Sequence, residues 1–203
     1  MAAPPHLQDS GVRIDKLIVG PFENNVFIVR CTSTGEAVLL DAANEHELLL
    51  DVCRATGVRR VLTTHGHWDH IQAVEAVRDA GIEVGIAADD AEMLPSYDFV
   101  IADDEEFAVG DLRLRAVHTP GHTKGSTSFV LAGSPIVFSG DTLFPGGPGN
   151  TSTPGASFDE VITSIDRRLF TLAPETLVLP GHGLDTTVGE ERPHLQEWAD
   201  RGW

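Results

Sequence analysis

Val58-Arg59-Arg60-Val61-Leu62-Thr63-Thr64-His65-Gly66-His67-Trp68-Asp69-His70-Ile71-Gln72-Ala73-Val74-Glu75-Ala76-Val77-Arg78 is the stretch that organises this chain. Its opening is a short apolar run, read as a buried strand. Its close is an amphipathic helix that Asp69 and His70 open and Gly81 stops. Between the two, His65, His67, Asp69 and His70 crowd into a single turn. Alternate side chains of an extended or turning segment point the same way, so His65 and His67 face one point, while Asp69 and His70 fan out from the start of the helix.

Three further residues of the same chemistry stand beside other strands, each next to a glycine: His122 in His118-Thr119-Pro120-Gly121-His122-Thr123, Asp141 in Ser139-Gly140-Asp141-Thr142, and His182 in Pro180-Gly181-His182-Gly183. Glycine allows the sharp turns that aim the neighbouring side chains inward. Imidazole and carboxylate are ligands for zinc and similar divalent ions, and two ions sharing one carboxylate would use all seven residues. A closed structural zinc site is typically four-coordinate and rich in thiolate, and this set contains no cysteine and exceeds the needs of one ion. A catalytic centre gathered from distant loops is the expectation.

Thr-His-x-His-x-Asp-His at Thr64–His70, His-Thr-Pro-Gly-His-Thr at 118–123, Gly-Asp-Thr-Leu-Phe at 140–144 and Pro-Gly-His-Gly at 180–183 resemble the metallo-β-lactamase superfamily, and within it the glyoxalase II-like hydrolases. The match runs from about Ile14 to His182. The resemblance implies that His65, His67 and His122 hold one metal, that Asp69, His70 and His182 hold a second, and that Asp141 bridges them. It also implies an α+β fold, the four-layer αββα sandwich, with the metal site at one edge of the two sheets. The order of elements accommodates this. Strands are expected at Ile14–Val19, Val26–Cys31, Ala37–Leu40, Val58–Thr63, Phe107–Val109, Leu112–Val117, Thr127–Leu131, Ile136–Ser139 and Leu177–Leu179. One helix is expected to run from a cap at Asn44, with Glu47 three residues on, to Gly57. A later one starts at the capping box Ser157-Phe158-Asp159-Glu160 and ends near Arg167-Arg168.

Composition narrows the function. The 203 residues suit one domain spanning 1–203, with no repeat or long linker. The Met1–Pro5 start does not read as a secretory signal and no stretch is long enough to span a bilayer, so a cytoplasmic, membrane-free protein is expected. Cys31 and Cys53 read as buried thiols rather than a disulfide. The net charge of −17 speaks against nucleic acid, whose phosphates need clustered cations. Asp89-Asp90 and Asp103-Asp104-Glu105-Glu106 read as solvated acidic faces without a binding role.

Two ions roughly 3.5–4 Å apart acidify a bound water to near neutrality and polarise a carbonyl. The expected reaction is hydrolysis of a small-molecule thioester or related ester by metal-bound hydroxide, with Asp69 orienting the nucleophile. Zinc is the default ion for these ligands, and iron or manganese fits the same shell. Asp41 and His118 are candidates to fix ligand imidazoles from behind. Lys124 and the Pro145–Gly155 stretch are candidate substrate contacts. Against the glyoxalase II pattern, this chain ends about twenty residues after His182, has Pro-Gly-Gly-Pro-Gly-Asn at 145–150 where glutathione-binding side chains stand, and has Leu184 where a tyrosine is expected. Glutathione therefore shares the field with other thiol carriers. A lactonase of the same fold would place a tyrosine where Phe144 stands. A β-lactamase would lack the carboxylate that Asp141 supplies. A persulfide dioxygenase would hold one iron at His65, His122 and Asp141, but the Gly-Cys-Gly-Arg-like segment of that family is absent. A non-enzymatic metal-binding scaffold fits a complete ligand set least.

Overall fold

The computed structural model describes residues 5–9 and 11–202. Seven strands form the first sheet in chain order: β1 (Leu7–Gln8), β2 (Val12–Val19), β3 (Asn24–Cys31), β4 (Ala37–Leu40), β5 (Arg60–Leu62), β6 (Glu83–Ala87) and β7 (Phe99–Ile101). The first four are antiparallel neighbours, and β4 to β7 run parallel. Helices connect the parallel strands, as such crossovers require: α1 (His46–Thr56), then α2 (Trp68–Ile71) and α3 (Val74–Asp79), with a 3₁₀ segment at Ala88–Met93.

The second sheet is built from β8 (Glu106–Val109), β9 (Leu112–His118), β10 (Thr127–Leu131) and β11 (Ile136–Gly140). A small hairpin, β12 (Leu143–Phe144) with β13 (Gly147–Pro148), and helix α4 (Phe158–Ser164) follow. The sheet is completed by β14 (Leu177–Pro180) and β15 (Thr186–Thr187), in spatial order β15-β14-β11-β10-β9-β8. Short helices α5 (Val188–Glu191) and α6 (Leu195–Arg201) close the described chain.

Side-chain alternation along the strands explains the layering. On β3, Val26 and Ile28 pack with Leu49 and Cys53 of α1 and with Val74 and Val77 of α3, while Phe27 and Val29 point the other way. That other face meets Leu114, Phe129 and Phe138 of the second sheet. The far side of the second sheet carries Val137 and Val178 against Val161 of α4, Ile165, Val188 and Trp198. Three buried clusters separate four layers, the αββα sandwich expected from the sequence. Period-two alternation gives each strand two apolar faces here because both faces are covered.

Several local expectations are corrected. Helix α1 does end at Gly57, whose left-handed φ of 74° lets its N–H reach Cys53 O. Its start is not a capping box: Glu45, at φ 52°, occupies the cap position without a side-chain bond. Asn44 instead accepts from Glu45 N–H at 2.6 Å and donates to Gln72 Oε1 at 2.6 Å. The expected continuous helix after His70 is split, because the N–H groups of Gln72 and Ala73 donate to Ala43 and Ala42 carbonyls rather than along the helix. The later helix begins as expected, with Ser157 Oγ accepting from Glu160 N–H at 3.3 Å, and continues as a π turn over Ile165–Leu169. The pair β6 and β7, β1, β15, the β12–β13 hairpin and the closing helices were not expected. Both cysteines are free and buried. Among the described residues no helix is long and apolar enough to cross a membrane.

Candidate metal centre

The strand arrangement brings the loop after β5 (Thr63–His67), the loop after β9 (Thr119–Ser126), Asp141 after β11 and His182 after β14 to one edge of the sandwich. The start of β3 reaches the same edge: Asn24 bridges to His182. Thr127 N–H, at the start of β10, donates to Thr64 O at 2.8 Å and ties the two sheets together there.

All seven predicted residues converge. Their ligand atoms form three sets, each within 4.8 Å: His65, His67 and His122; His65, His70 and Asp141; and Asp69, His70 and His182. Asp141 lies between the outer sets, 3.5 Å from His70 Nε2, 3.6 Å from His122 Nε2 and 3.5 Å from His182 Nε2. Gly181 makes this possible, because a Cβ there would sit 2.2 Å from Asp141 Oδ1.

The orientation of the rings is set from behind. His65 Nδ1 meets Thr64 Oγ1 at 3.0 Å, His122 Nδ1 meets Asn150 O at 2.7 Å, His182 Nδ1 meets Phe22 O at 2.8 Å and His70 Nδ1 meets Asp41 Oδ2 at 2.9 Å. Carbonyl and carboxylate oxygens can only accept, and the Thr64 hydroxyl already donates to Asp41 Oδ2 at 2.8 Å. Each of these four imidazoles therefore carries a proton on its outward nitrogen and, when neutral, turns a lone pair inward. The inward nitrogens crowd: His67 Nδ1 is 2.8 Å from His122 Nε2, and His70 Nε2 is 3.1 Å from His182 Nε2. His65 Nε2 and Asp141 Oδ1 are buried without a hydrogen-bond partner. Converging lone pairs and an orphaned carboxylate oxygen are the donor set that divalent cations satisfy, so the residues present fit a metal cluster.

Charge reinforces the geometry. Burial, with the neighbouring imidazoles adding to it, pushes His65 well below the usual histidine range. Burial opposes protonation of His70 as well, but Asp141, Asp41 and Asp69 outweigh it and raise that ring to about 9. The Asp69 carboxyl is held far below its usual value despite burial, by hydrogen bonds from His182 and Asn24 and by the charge near His70. The carboxylates thus create a field that favours positive charge.

Sequence reading missed one support, Asn24, and misplaced two residues, Asp90 and His118. Asn24, 1% exposed, donates to Asp69 Oδ2 at 2.9 Å; two adjacent asparagines opening an apolar strand were the available signal. Asp90, expected on a solvated face, is 1% exposed. Its Oδ2 accepts from Gly66 N–H at 2.8 Å and Thr123 Oγ1 at 2.6 Å, and its Oδ1 from Gly125 N–H at 2.8 Å, which clamps the two loops carrying His65, His67 and His122. Asp41 does sit behind His70, and its Oδ1 also accepts from Thr64 N–H at 2.7 Å. His118 does not join the site: its Nε2 is buried without a partner, and its backbone N–H donates to Asp103. Lys124 is exposed on the turn that Asp90 holds. The 145–150 stretch is partly the β12–β13 hairpin and borders an open cleft of about 560 Å³ lined by Phe144 to Asn150 and Arg201.

The chain is similar in sequence and fold to several known proteins. Among solved structures, the BLEG-1 B3 metallo-beta-lactamase superposes with a TM-score of 0.82 at 28% identity, covering 89% of this chain and 97% of that one. ETHE1 from Myxococcus xanthus gives 0.79 at 29% identity, covering 90% and 82%. A hydroxyacylglutathione hydrolase of Rhodospirillum rubrum is 33% identical over 165 residues, 79% of this chain and 62% of that protein, so this chain spans under two thirds of that relative. The family model described as "Metallo-beta-lactamase superfamily" matches residues 19–182, from the end of β2 to the last histidine of the cluster, and the chain belongs to that superfamily.

Proposed function

We propose that this chain is a binuclear metal-dependent hydrolase of the glyoxalase II type that cleaves a small thioester or related acyl compound. The observation that carries the reading is the double set of inward-facing donors around Asp141. His65, His67 and His122 would hold one ion, Asp69, His70 and His182 a second, and Asp141 would bridge them. When bound, such ions supply a water acidified to near neutrality and an electrophile for the carbonyl oxygen. Zinc, iron and manganese all suit these nitrogen and oxygen ligands.

The chain's own residues do the positioning. Asp69, fixed by Asn24 and held as a carboxylate, orients the attacking water. Asp41 holds the His70 ring and, through Thr64, the His65 ring. The substrate's C–S bond breaks as a C–O bond forms, and water's two hydrogens end on the acid and the thiol. A thiolate leaves with little protonation, so no dedicated acid is required. Among the relatives, hydroxyacylglutathione hydrolases carry out this class of reaction by their name, which supports the reading.

The test is the metal content of protein purified without added metal, followed by turnover of an S-acyl aryl thiol. About two equivalents per chain and hydrolysis are expected. The second reading, a mononuclear iron persulfide dioxygenase, has one observation in its favour: His65, His122 and Asp141 gather at the same edge, with His122 and Asp141 3.6 Å apart. One equivalent, mostly iron, with oxygen uptake on a thiol persulfide would install that reading instead.

A further inference from the structure

Behind the ligand cluster, between the two sheets, lies a small cavity. Phe27, Phe138 and Leu179 form its apolar side and Asn25, Asp41 and Thr64 its polar side. Every residue around it is buried. The space open to the centre of a water molecule is about 10 Å³, enough for one.

Asn25 borders this cavity with a fixed amide. Its Nδ2 donates to Pro180 O at 2.9 Å and to Gly183 O at 3.1 Å. Carbonyls only accept, so the NH₂ group must face them and the amide cannot be turned over. The other end of the amide is Oδ1, on a side chain whose residue is 2% exposed, and no described residue donates to it. An amide oxygen so placed calls for a donor. Asp41, across the same cavity, has an acceptor position to spare. A carboxylate offers about four. Three are taken, by Thr64 N–H on Oδ1 at 2.7 Å and by Thr64 Oγ1 at 2.8 Å and His70 Nδ1 at 2.9 Å on Oδ2. The fourth belongs to Oδ1. Two buried acceptors bordering a space of this size are matched by one small neutral molecule with two hydrogens to give. A cation would need more oxygens than the apolar walls leave room for.

We propose that one internal water is bound here, donating one hydrogen to Asn25 Oδ1 and the other to Asp41 Oδ1, and that Asn25 acts through it as a positioning residue for His70 and His182. Asn25 already grips the turn that carries His182, by its two amide hydrogen bonds and by its own N–H, which donates to Gly181 O at 2.7 Å. Asp41 holds the His70 ring. The water joins these two supports, so the ring anchored on the first sheet and the ring carried by the second are referred to one another. Asp41 also has a left-handed φ of 62°, a conformation that a residue other than glycine keeps only where its surroundings fix it. A fourth hydrogen bond on its carboxylate adds to that fixing. The site does not depend on which reaction the metals serve.

The test starts with a crystal structure of the zinc-loaded protein. One density peak should lie within about 3 Å of both Asn25 Oδ1 and Asp41 Oδ1. In solution, oxygen-17 relaxation dispersion counts the internal waters that tumble with the protein, and zinc, being diamagnetic, leaves that count undisturbed. At saturating zinc, Asn25→Leu, close in size but without polar atoms, should hold one such water fewer than the wild type. Asn25→Asp keeps an acceptor and loses the two amide donors, and should hold the same number as the wild type. In a chelator titration, Asn25→Leu should give up its second ion about tenfold more readily. A wild-type structure without density between the two oxygens overturns the water site, and so does an equal count in wild type and Asn25→Leu. Loss of the water with unchanged release of the second ion overturns the positioning role. Should Asn25→Leu fail to fold, the wild-type density and the Asn25→Asp count decide the site between them.

Discussion

The two ligand sets around Asp141 are built differently. His65, His67 and His122 sit on two loops that one buried carboxylate, Asp90, locks through backbone N–H groups and a threonine hydroxyl. Asp69, His70 and His182 are held by three separate elements: Asp41 at the end of β4, Asn24 at the start of β3 and the Phe22 carbonyl. Exposure divides within each set instead: His65 and His122 are buried and His67 is half-buried in the first, while His70 is fully buried and Asp69 and His182 are half-buried in the second. The difference between the sets is in their support, one shared carboxylate against three separate groups.

The sharpest way to break the comparison is to remove what both sets share. Asp141→Asn, or His67→Ala in the first set alone, is expected to lower kcat/KM at least about a thousandfold, the equivalent of several kcal/mol of transition-state stabilisation. Circular dichroism should show the fold retained. Undiminished turnover in both would remove these residues from the mechanism.

Asp90 tests the support of the first set. Asp90→Ala leaves Gly66 N–H and Gly125 N–H without an acceptor, at about 1–3 kcal/mol for each buried orphan, and leaves the Thr123 hydroxyl with only Ser126 Oγ. Melting temperature should fall, and affinity for the first-set ion should weaken by about 10–100-fold, with one ion per chain surviving dialysis. Asp90→Asn keeps one acceptor oxygen and should recover part of both losses. If the variant retains two ions after dialysis, the two sets are not separately supported.

The support of the second set is tested by Asn24→Ala, which removes the donor to Asp69 Oδ2. A loss of about tenfold in kcat with little change in melting temperature is expected, since second-set support is polar and local. Chelator titration should then show a wider gap between loss of the first ion and loss of the second.

The smallest effect lies away from both sets and serves as a control on acid sensitivity. Asp98 accepts from Arg78 at 2.9 and 2.6 Å and from Val84 N–H at 2.8 Å, and the Arg78 hydrogen bonds hold its carboxyl below the usual range. A depressed folded-state value contributes stability that is present above the unfolded value of about 3.9 and lost as pH falls through the lower folded one. Asp98→Asn should therefore lower the melting temperature slightly at neutral pH, and the difference from wild type should close below about pH 3.9. A difference that persists at low pH would mean that the asparagine fails for a reason other than charge.

The sequence by itself determined the inventory of candidate ligands and most of the strands that carry them. Chemically distinctive residues at fixed spacings, each beside a glycine turn, announce themselves without any knowledge of distant contacts. The sandwich followed from the resemblance that those motifs carry, and the order of strands and helices accommodated it. What the sequence did not contain was the identity of long-range partners. Asp90 reads as half of an acidic pair until Gly66, Thr123 and Gly125, 24 to 35 positions away, present their donors to it. Asn44 reads as a helix cap until Gln72 competes for it, and the helix after His70 reads as continuous until Ala42 and Ala43 take its N–H groups. Strands β6 and β7 are too short for periodicity to separate them from a buried helix turn, and pairing with β5 settles them. Local pattern reports what a residue can do; only the tertiary structure decides which of several polar partners it meets, because a buried donor or acceptor is committed by whatever packing brings within about 3 Å.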